Sequence, residues 1–212
     1  SEELGVASQD IELIPLGADM DLFKPDPAKR KEIRGLLGLT DDNVLIIYSG
    51  RILPEKELAT LVLAVASLSG GLKSKVHILL VGGGPEFHLQ EISRLAREKG
   101  LSGNIKFYPP VHRNKLPEFY SAADIAIWPG TPSNSIIEAM STGLPIIIAR
   151  YQRLRREAQG TPNLSEYQYD TSNLLEYNNG LAFTKGSIEE LAACIEELTE
   201  DEKLRRDMGV RG

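Results

Sequence analysis

The sequence predicts an α/β domain built on a doubly wound, Rossmann-like parallel sheet. Short β-branched apolar runs alternate with stretches of helical periodicity along all 212 residues, and the runs show no alternation of apolar and polar residues. Strands that are apolar on both faces are typical of a parallel sheet covered by helices on both sides. The length suits one sizeable core, so we expect residues 1–212 to form a single domain.

The individual elements follow from the position of each apolar run and of the turn residues beside it. Buried strands are predicted at 44–48 and 76–81, and further strands at 105–108, 125–128, 145–149 and 181–183. Helices are predicted at about 57–68, 86–98, 116–122, 134–142, from 187 onward, and at 202–209. The sequence Ser187-Ile188-Glu189-Glu190 has the spacing of a capping box, which begins the penultimate helix.

Composition and charge exclude several classes of protein. A formal net charge of −6 argues against a nucleic-acid-binding surface, which carries a basic stripe. The single cysteine, Cys194, lies in an apolar helical pattern, which excludes a disulfide framework and favours a small buried side chain in a cytoplasmic protein. The three histidines are scattered, so no metal site is expected. Neither a signal peptide nor a membrane-spanning run is found.

The loop after the first strand is the first candidate site, because ligands of such sheets bind beyond the carboxyl ends of the strands. Gly50 allows close approach of the backbone to a ligand. Arg51 offers a forked donor for phosphate oxygens, and Lys56 adds a second cation. The alternative is a solvated loop whose cations pair with Glu55 and Glu57.

The loop between the fourth strand and its helix is the second candidate. Its residues Ser133, Asn134, Ser135 and Ile136 lead into a helix, and free backbone N–H groups at a helix start form an anion site. The alternative is local, because the spacing from Ser135 to Glu138 is that of a capping box, in which Glu138 binds only its own helix.

Two further segments have weaker signals. Gly82-Gly83-Gly84-Pro85 lacks the spacing of a dinucleotide loop or a P-loop, so Gly83 fits a tight strand-to-helix turn that leaves room for a nucleotide. The basic cluster 150–156, with Arg153, Arg155 and Arg156, lies in a long irregular segment. Either this cluster binds an anion or it is a solvated charged loop.

Taken in order, these segments resemble the C-terminal domain of family 4 glycosyltransferases of the GT-B fold. The resemblance is carried by residues 14–25 (IPLGADMDLFKP, similar to I-P-N-G-V-D-x-x-x-F-x-P), 48–57 (YSGRILPEKE, similar to V-G-R-L-x-x-x-K-G), 80–86 (LVGGGPE), 116–124 (LPEFYSAAD), 138–146 (EAMSTGLPI, similar to E-A-M-A-x-G-x-P-V) and 179–183 (NGLAF). Within the second segment, Glu57 stands where the family has glycine.

The resemblance implies an enzyme that transfers a sugar from a nucleotide diphosphate with retention of configuration, without a metal or other cofactor. Arg51 and Lys56 match the family's diphosphate-binding cations, which we assign as catalytic, and Glu138 matches the glutamate that binds the ribose hydroxyls. The remaining predicted contacts to the nucleotide sugar are Gly50, Gly83, Val111, Leu116, Ser133, Asn134, Ser135 and Ile136. Val111 and Leu116 belong to the 109–116 loop, which is implied to flank the base.

Two departures from the family pattern leave alternatives open. Gly130 stands where the family has the first glutamate of its E-x7-E motif, which contacts the donor sugar. The N-terminal acceptor domain is expected to lie outside this chain and to mediate any peripheral association with the cytoplasmic face of a membrane. The chain alone is therefore expected to be inactive. The alternatives are a catalytically degenerate nucleotide-binding or regulatory module and a GT-B sugar-nucleotide epimerase.

Overall fold

The computed structural model describes residues 17–150 and 172–212. They contain the strands β1 (Val44–Ser49), β2 (Val76–Val81), β3 (Ile105–Tyr108), β4 (Ile125–Trp128), β5 (Ile146–Arg150) and β6 (Gly180–Thr184). All neighbouring strands pair in parallel, in the order β3-β2-β1-β4-β5-β6. The predicted doubly wound, Rossmann-like parallel sheet is confirmed.

Helices cover the sheet on both faces. They are α1 (Pro27–Leu37), α2 (Leu58–Ser67), α3 (Leu72–Lys75), α4 (Glu86–Glu98), α5 (Leu116–Ala122), α6 (Ser135–Ser141), α7 (Ile188–Glu200) and α8 (Glu202–Arg211). Helix α1 packs against α5, and α2 packs against α4 and α7. Every residue of the central strands β1 and β4 is buried, as expected where side chains on both faces meet a helical layer. In the part of the chain that the structure describes, no helix is long and apolar enough to cross a membrane.

The direction of winding reverses between β1 and β4. From β1 the chain builds outward through β2 and β3, and it then returns to place β4 on the opposite side of β1. The loops that follow β1 and β4 therefore leave the same edge of the sheet in opposite directions and open a crevice between them. Ligands of doubly wound sheets bind at this reversal.

Helix α1 was not among the predicted elements, although its ends carry ordinary signals. The Asp26 carboxylate caps it by accepting from the backbone N–H groups of Ala28 and Lys29, each at 3.0 Å, and Pro27 is its first residue. Its far end is closed by Gly38 in the left-handed region at φ 71°. Proline after a capping side chain and glycine after the last turn are the expected asymmetry of a helix.

Two local expectations need correction. The predicted helix 57–68 begins at Leu58, because Glu57 adopts a left-handed conformation at φ 51° between a 3-10 turn, Pro54–Lys56, and α2. Only half of the capping box at Ser187 forms. The Ser187 hydroxyl accepts from the Glu190 N–H at 3.2 Å, whereas the Glu190 carboxylate accepts from the N–H of Thr184 at 2.7 Å.

Several residues singled out in the sequence lie outside the described ranges. These are the first residues of the 14–25 segment and the basic residues Arg153, Arg155 and Arg156. Arg150 is described, and its guanidinium donates to the carbonyl of Ala182 at 2.8 Å.

Candidate functional site

The turn after β1 and the loop after β4 are joined by hydrogen bonds at the crevice. The backbone N–H and the hydroxyl of Thr131 both donate to the carbonyl of Glu55, at 2.9 and 3.0 Å. In return, the Lys56 ammonium donates to the carbonyl of Thr131 at 3.0 Å. The two predicted candidate loops are therefore one structural unit.

Lys56 is the cation that this unit holds away from water. Lys56 is only 8% exposed, and this burial lowers the pKa of its amine because the charged form is desolvated. Glu57 pairs instead with Lys185, at 3.1 Å between Oε1 and Nζ. No described residue forms an ion pair with Lys56 within 4.0 Å, so the solvated-loop alternative is wrong for this lysine.

Arg51 lies beside Lys56 with its side chain exposed. Its backbone carbonyl accepts from the Tyr48 hydroxyl at 2.7 Å, which fixes the start of the loop. Within the described ranges the guanidinium has no hydrogen-bond or ion-pair partner, so its forked donors remain available to an anion. Arg51 and Lys56 thus present one accessible cation and one buried cation from the same turn.

Gly50 and Gly83 pack the loops after β1 and β2 against each other. The N–H of Gly50 donates to the Val81 carbonyl at 3.0 Å, and the N–H of Ile52 donates to the Gly83 carbonyl at 2.8 Å. A Cβ atom at the intervening Gly82 would lie 1.8 Å from the Gly50 carbonyl oxygen, so this approach requires glycine. The glycine run is a close-packed strand-to-helix turn, as its sequence predicts.

Hydroxyl groups tie the start of α6 to the end of β1. The Ser49 and Tyr120 hydroxyls lie 2.6 Å apart, and the Ser135 hydroxyl donates to the Ser49 carbonyl at 3.0 Å. Ser133 and Ser135 share a hydrogen bond of 2.7 Å between their hydroxyl oxygens. Burial raises the pKa of Tyr120, so it acts here as a neutral hydroxyl.

The loop before α6 carries backbone donors. Asn134 is the cap residue and makes no side-chain capping bond. The Ile136 N–H already donates to the Ser133 carbonyl at 3.1 Å. By contrast, no described residue accepts from the N–H groups of Ser133, Asn134 or Ser135. Of the four backbone N–H groups predicted to bind an anion, that of Ile136 is therefore already used, and those of Ser133, Asn134 and Ser135 are available.

Glu138 does not form the predicted capping box. Its carboxylate Oε1 accepts from the Nε of Arg113 at 2.6 Å, across 25 residues of sequence. The Arg113 guanidinium lies over the ring of Phe23, 4.8 Å from its centroid. Sequence reasoning missed Arg113, because only the fold brings it to Glu138. Phe23, which belongs to the described part of the 14–25 segment, thus contacts the arginine that binds Glu138.

Val111 and Leu116 flank Arg113 along the chain. Both are half-buried and pack against the core, and Leu116 is the first residue of α5. The ion pair of Arg113 with Glu138 brings the 109–116 loop, which contains both apolar residues, close to this carboxylate. That this loop flanks a base remains a prediction of the family resemblance.

Gly130 packs directly against the backbone of the turn that carries Lys56. A Cβ atom at this position would lie 2.2 Å from the Glu55 carbonyl oxygen and 2.6 Å from the Lys56 carbonyl carbon. Both are backbone atoms, which cannot rotate away as a side chain would. Any residue larger than glycine would therefore displace the turn.

Neither a reactive cysteine nor a metal site is found among the described residues. Cys194 is half-buried in α7, where burial raises the pKa of its thiol to about 11, so the reactive thiolate is disfavoured. Among residues 17–150 and 172–212 there is no group of three or more His, Cys, Asp or Glu side chains that could hold a metal ion.

Comparison with known proteins identifies the family. The sequence model of the family described as "Glycosyl transferases group 1" matches residues 29–212. This chain belongs to the glycosyl transferases group 1 family. The match begins in the first turn of α1 and runs to the end of this glycosyl transferase group 1 domain, past α8.

Curated relatives of this group 1 domain are glycosyltransferases. A GDP-mannose-dependent alpha-(1-6)-phosphatidylinositol monomannoside mannosyltransferase of Mycobacterium tuberculosis is 27% identical over 203 residues, which cover 95% of this chain and 50% of the relative. A D-inositol 3-phosphate glycosyltransferase of Actinosynnema mirum is 30% identical over 190 residues, which cover 85% of this chain and 45% of the relative. The chain thus spans about half the length of these relatives.

Solved structures of group 1 enzymes and their neighbours share the fold. HepE of Anabaena, in complex with UDP, superposes with a TM-score of 0.78 at 23% identity and covers 99% of this chain and 53% of its own. The C-terminal domain of a glycosyl transferase group 1 family protein of Francisella tularensis gives 0.67 at 18% identity, covering 91% and 93%. The domain is the Rossmann-like type found in GT-B glycosyltransferases.

Proposed function

We propose that this chain is the C-terminal, donor-binding domain of a retaining family 4 glycosyltransferase and that it binds a nucleotide-diphosphate sugar. The convergence at the sheet reversal carries the proposal. Buried Lys56, exposed Arg51 and the free amides of 133–135 supply positive potential, and Glu138 supplies an acceptor. The names of the relatives, which include a GDP-mannose-dependent enzyme and a complex with UDP, support it.

Transfer breaks the bond between the anomeric carbon of the sugar and an oxygen of the diphosphate, so negative charge grows on the leaving group. Lys56 and Arg51 stabilise that charge without a metal ion, because they are already placed when it develops. The hydroxyls of Ser133 and Ser135 and the amides beside them bind phosphate and sugar oxygens. The Glu138 carboxylate accepts from the ribose hydroxyls, with the base beside Val111 and Leu116.

The acceptor site belongs, in this proposal, to an N-terminal domain outside the chain. Chemistry requires both halves, so the chain alone binds the nucleotide and does not turn over. We place the whole enzyme in the cytoplasm, where its other half mediates any contact with a membrane surface.

Calorimetric titration of the purified chain with UDP, GDP and ADP tests the donor site. We expect one of the three to bind, and Lys56→Met to weaken that binding by about tenfold or more, because a charge-assisted hydrogen bond is lost. Arg94→Gln is the matched control, since it removes an exposed cation on α4 whose only ion-pair partner among the described residues is Glu98, at 3.9 Å. A folded chain that binds none of the three nucleotides would contradict the proposal.

Gly130 supports a second candidate function, a nucleotide-binding module that has lost sugar transfer. It has no side chain where the resemblance places the carboxylate for the donor sugar. Incubation of the full-length protein with radiolabelled nucleotide sugars and a lipid or polysaccharide acceptor panel separates the two. Labelled product supports the transferase, whereas nucleotide binding without transfer or hydrolysis supports the module. Gly130→Glu is unsuitable for this purpose, because the added side chain would displace Lys56.

A further inference from the structure

Arg113 makes two contacts, which connect a buried aromatic ring to the carboxylate of the candidate site. Its guanidinium lies 4.8 Å from the centroid of the Phe23 ring, which is fully buried. Its Nε donates to Glu138 Oε1 at 2.6 Å, the length of a strong charge-assisted bond. The side chain of Arg113 is 52% exposed, whereas that of Glu138 is 12% exposed. The arginine therefore forms the solvent-facing side of the carboxylate.

We propose that Arg113 is a positioning residue that aims the Glu138 carboxylate at the ribose, an inference that rests on the proposed function. A glutamate side chain has three rotatable bonds, and without a partner it samples several rotamers at an entropic cost to binding. Arg113 fixes Oε1 through Nε and is itself fixed by the Phe23 ring. Oε2 remains to accept from the nucleoside hydroxyls.

The contact uses only one of the donors of Arg113. Within the described residues, the two terminal amino groups of its guanidinium have no hydrogen-bond partner. The bond to Glu138 can therefore persist while a nucleotide occupies the crevice. A guanidinium that merely blocked the carboxylate would have to leave Glu138 before the ribose could bind, and its removal would tighten binding.

The experiment compares a ribonucleotide with a ligand that lacks the hydroxyls. The purified chain is titrated with the tightest-binding of UDP, GDP and ADP and with the 2′,3′-dideoxy form of the same nucleotide. We expect Arg113→Gln to weaken ribonucleotide binding by about tenfold, the loss typical of one charge-assisted hydrogen bond. Binding of the dideoxy form should stay unchanged. Arg94→Gln on α4 serves as the control for removal of an exposed arginine.

A double-mutant cycle with Glu138→Gln adds a second readout. Because Arg113 acts through Glu138, the two substitutions should be non-additive, and Glu138→Gln should cost much less in the Arg113→Gln background. Thermal unfolding of each variant verifies the fold, since the half-exposed Arg113 side chain contributes little to the core.

Three results would overturn the inference. Arg113→Gln could leave ribonucleotide binding unchanged, could tighten it as a removed block would, or could weaken the ribonucleotide and its dideoxy form equally as a general phosphate-binding cation would. A wild-type chain that binds none of the nucleotides overturns the proposed function as well. Wild-type binding with an unaffected variant overturns only the role of Arg113.

Discussion

Lys56 is an amine whose positive charge costs free energy to hold at its buried position. Burial penalises its ammonium form, and the carbonyl of Thr131 compensates with one hydrogen bond at 3.0 Å. Under the proposed function, a diphosphate bound beside Lys56 would supply a counter-charge to this ammonium, as expected of a group placed for electrostatic stabilisation.

The lowered pKa of Lys56 predicts how nucleotide binding depends on pH. Affinity should be highest below that pKa and should fall as the pH rises through it, because deprotonation removes the cation. The fall should begin at a lower pH than an exposed lysine would give. Titrations of UDP, GDP and ADP between about pH 7 and pH 10 measure it. Lys56→Met should give weak binding with a flatter profile, and an equally steep profile in this variant would assign the titration to another group.

The residues of the candidate site divide into those that local sequence reveals and those that it does not. Arg51 and Lys56 stand beside Gly50 in one turn, so their types and spacing predict an anion site. Arg113 joins Glu138 only through the packing of α5 and α6 around β1, which no local pattern encodes. The left-handed Glu57 also explains, after the fact, why the resembling family has glycine at this position.

At the scale of elements, an ionic cluster of Arg30, Arg34 and Asp124 holds α1 against the sheet. Arg30 and Arg34 bind the two carboxylate oxygens of Asp124 at 2.6 and 2.9 Å, and Asp124 also accepts from the N–H of Leu45 at 2.7 Å. The second amino group of Arg34 donates to the carbonyls of Thr40 and Asn43, at 2.6 and 2.7 Å. Arg34 thus joins the helix to the loop after it, and Asp124 joins both arginines to the strand β1.

Loss of Arg34 should therefore destabilise the whole domain. We expect Arg34→Ala to lower the free energy of unfolding by about 3 kcal/mol, because it leaves buried polar groups without their partner. Lys31→Ala, on the exposed side of the same helix, should stay within about 0.5 kcal/mol of the wild type. Urea denaturation followed by circular dichroism measures both. Equal stabilities of the two variants would reduce the cluster to a surface ion pair.

The strands were more predictable than the helices, for a physical reason. The runs 44–48 and 76–81 consist of β-branched or aliphatic residues except for Tyr48 and His77, and both strands are found where expected. Helix α1 has no comparable apolar face, since its buried residues are Ile33 and the ion-paired Arg34. Its stability comes from the cluster with Asp124, and a pattern of hydrophobic spacing cannot detect that.

At the scale of the molecule, the candidate site lies at the junction of β1 and β4, the neighbouring strands with the fewest paired positions. We call this junction the seam of the sheet. Strands β1 and β2 have six paired positions, from Val44↔Val76 to Ser49↔Val81, whereas β1 and β4 have two, Ile46↔Ile125 and Ile47↔Ala126. The two halves of the sheet are therefore joined at their centre by few paired strand positions and by the loops that carry Lys56 and Thr131. A ligand in the crevice would contact both halves.

A nucleotide should consequently stabilise β4 and α6 beyond its direct contacts. Ligand binding to the folded state adds free energy according to its concentration relative to the dissociation constant, about 2.7 kcal/mol at a hundredfold excess. Amide hydrogen exchange with and without the tightest-binding of UDP, GDP and ADP should show slower exchange in both β4 and α6. The edge strand β3 serves as the internal reference. Slowing confined to the loop residues would show that the seam is not strengthened.

The packing of Gly130 has a consequence for how the sequence can change. If an ancestor had a glutamate at this position, its turn at 54–57 must have lain further out than it now does, because a Cβ atom at 130 would overlap the Glu55 and Lys56 backbone. With the turn packed against glycine, a single substitution of Gly130 by glutamate would displace Lys56, so the restored carboxylate would come at the cost of the lysine's position. Recovery would need coordinated changes in both loops. The glycine would therefore be hard to replace, and if the chain binds a donor sugar as proposed, groups other than a carboxylate at position 130 must recognise that sugar.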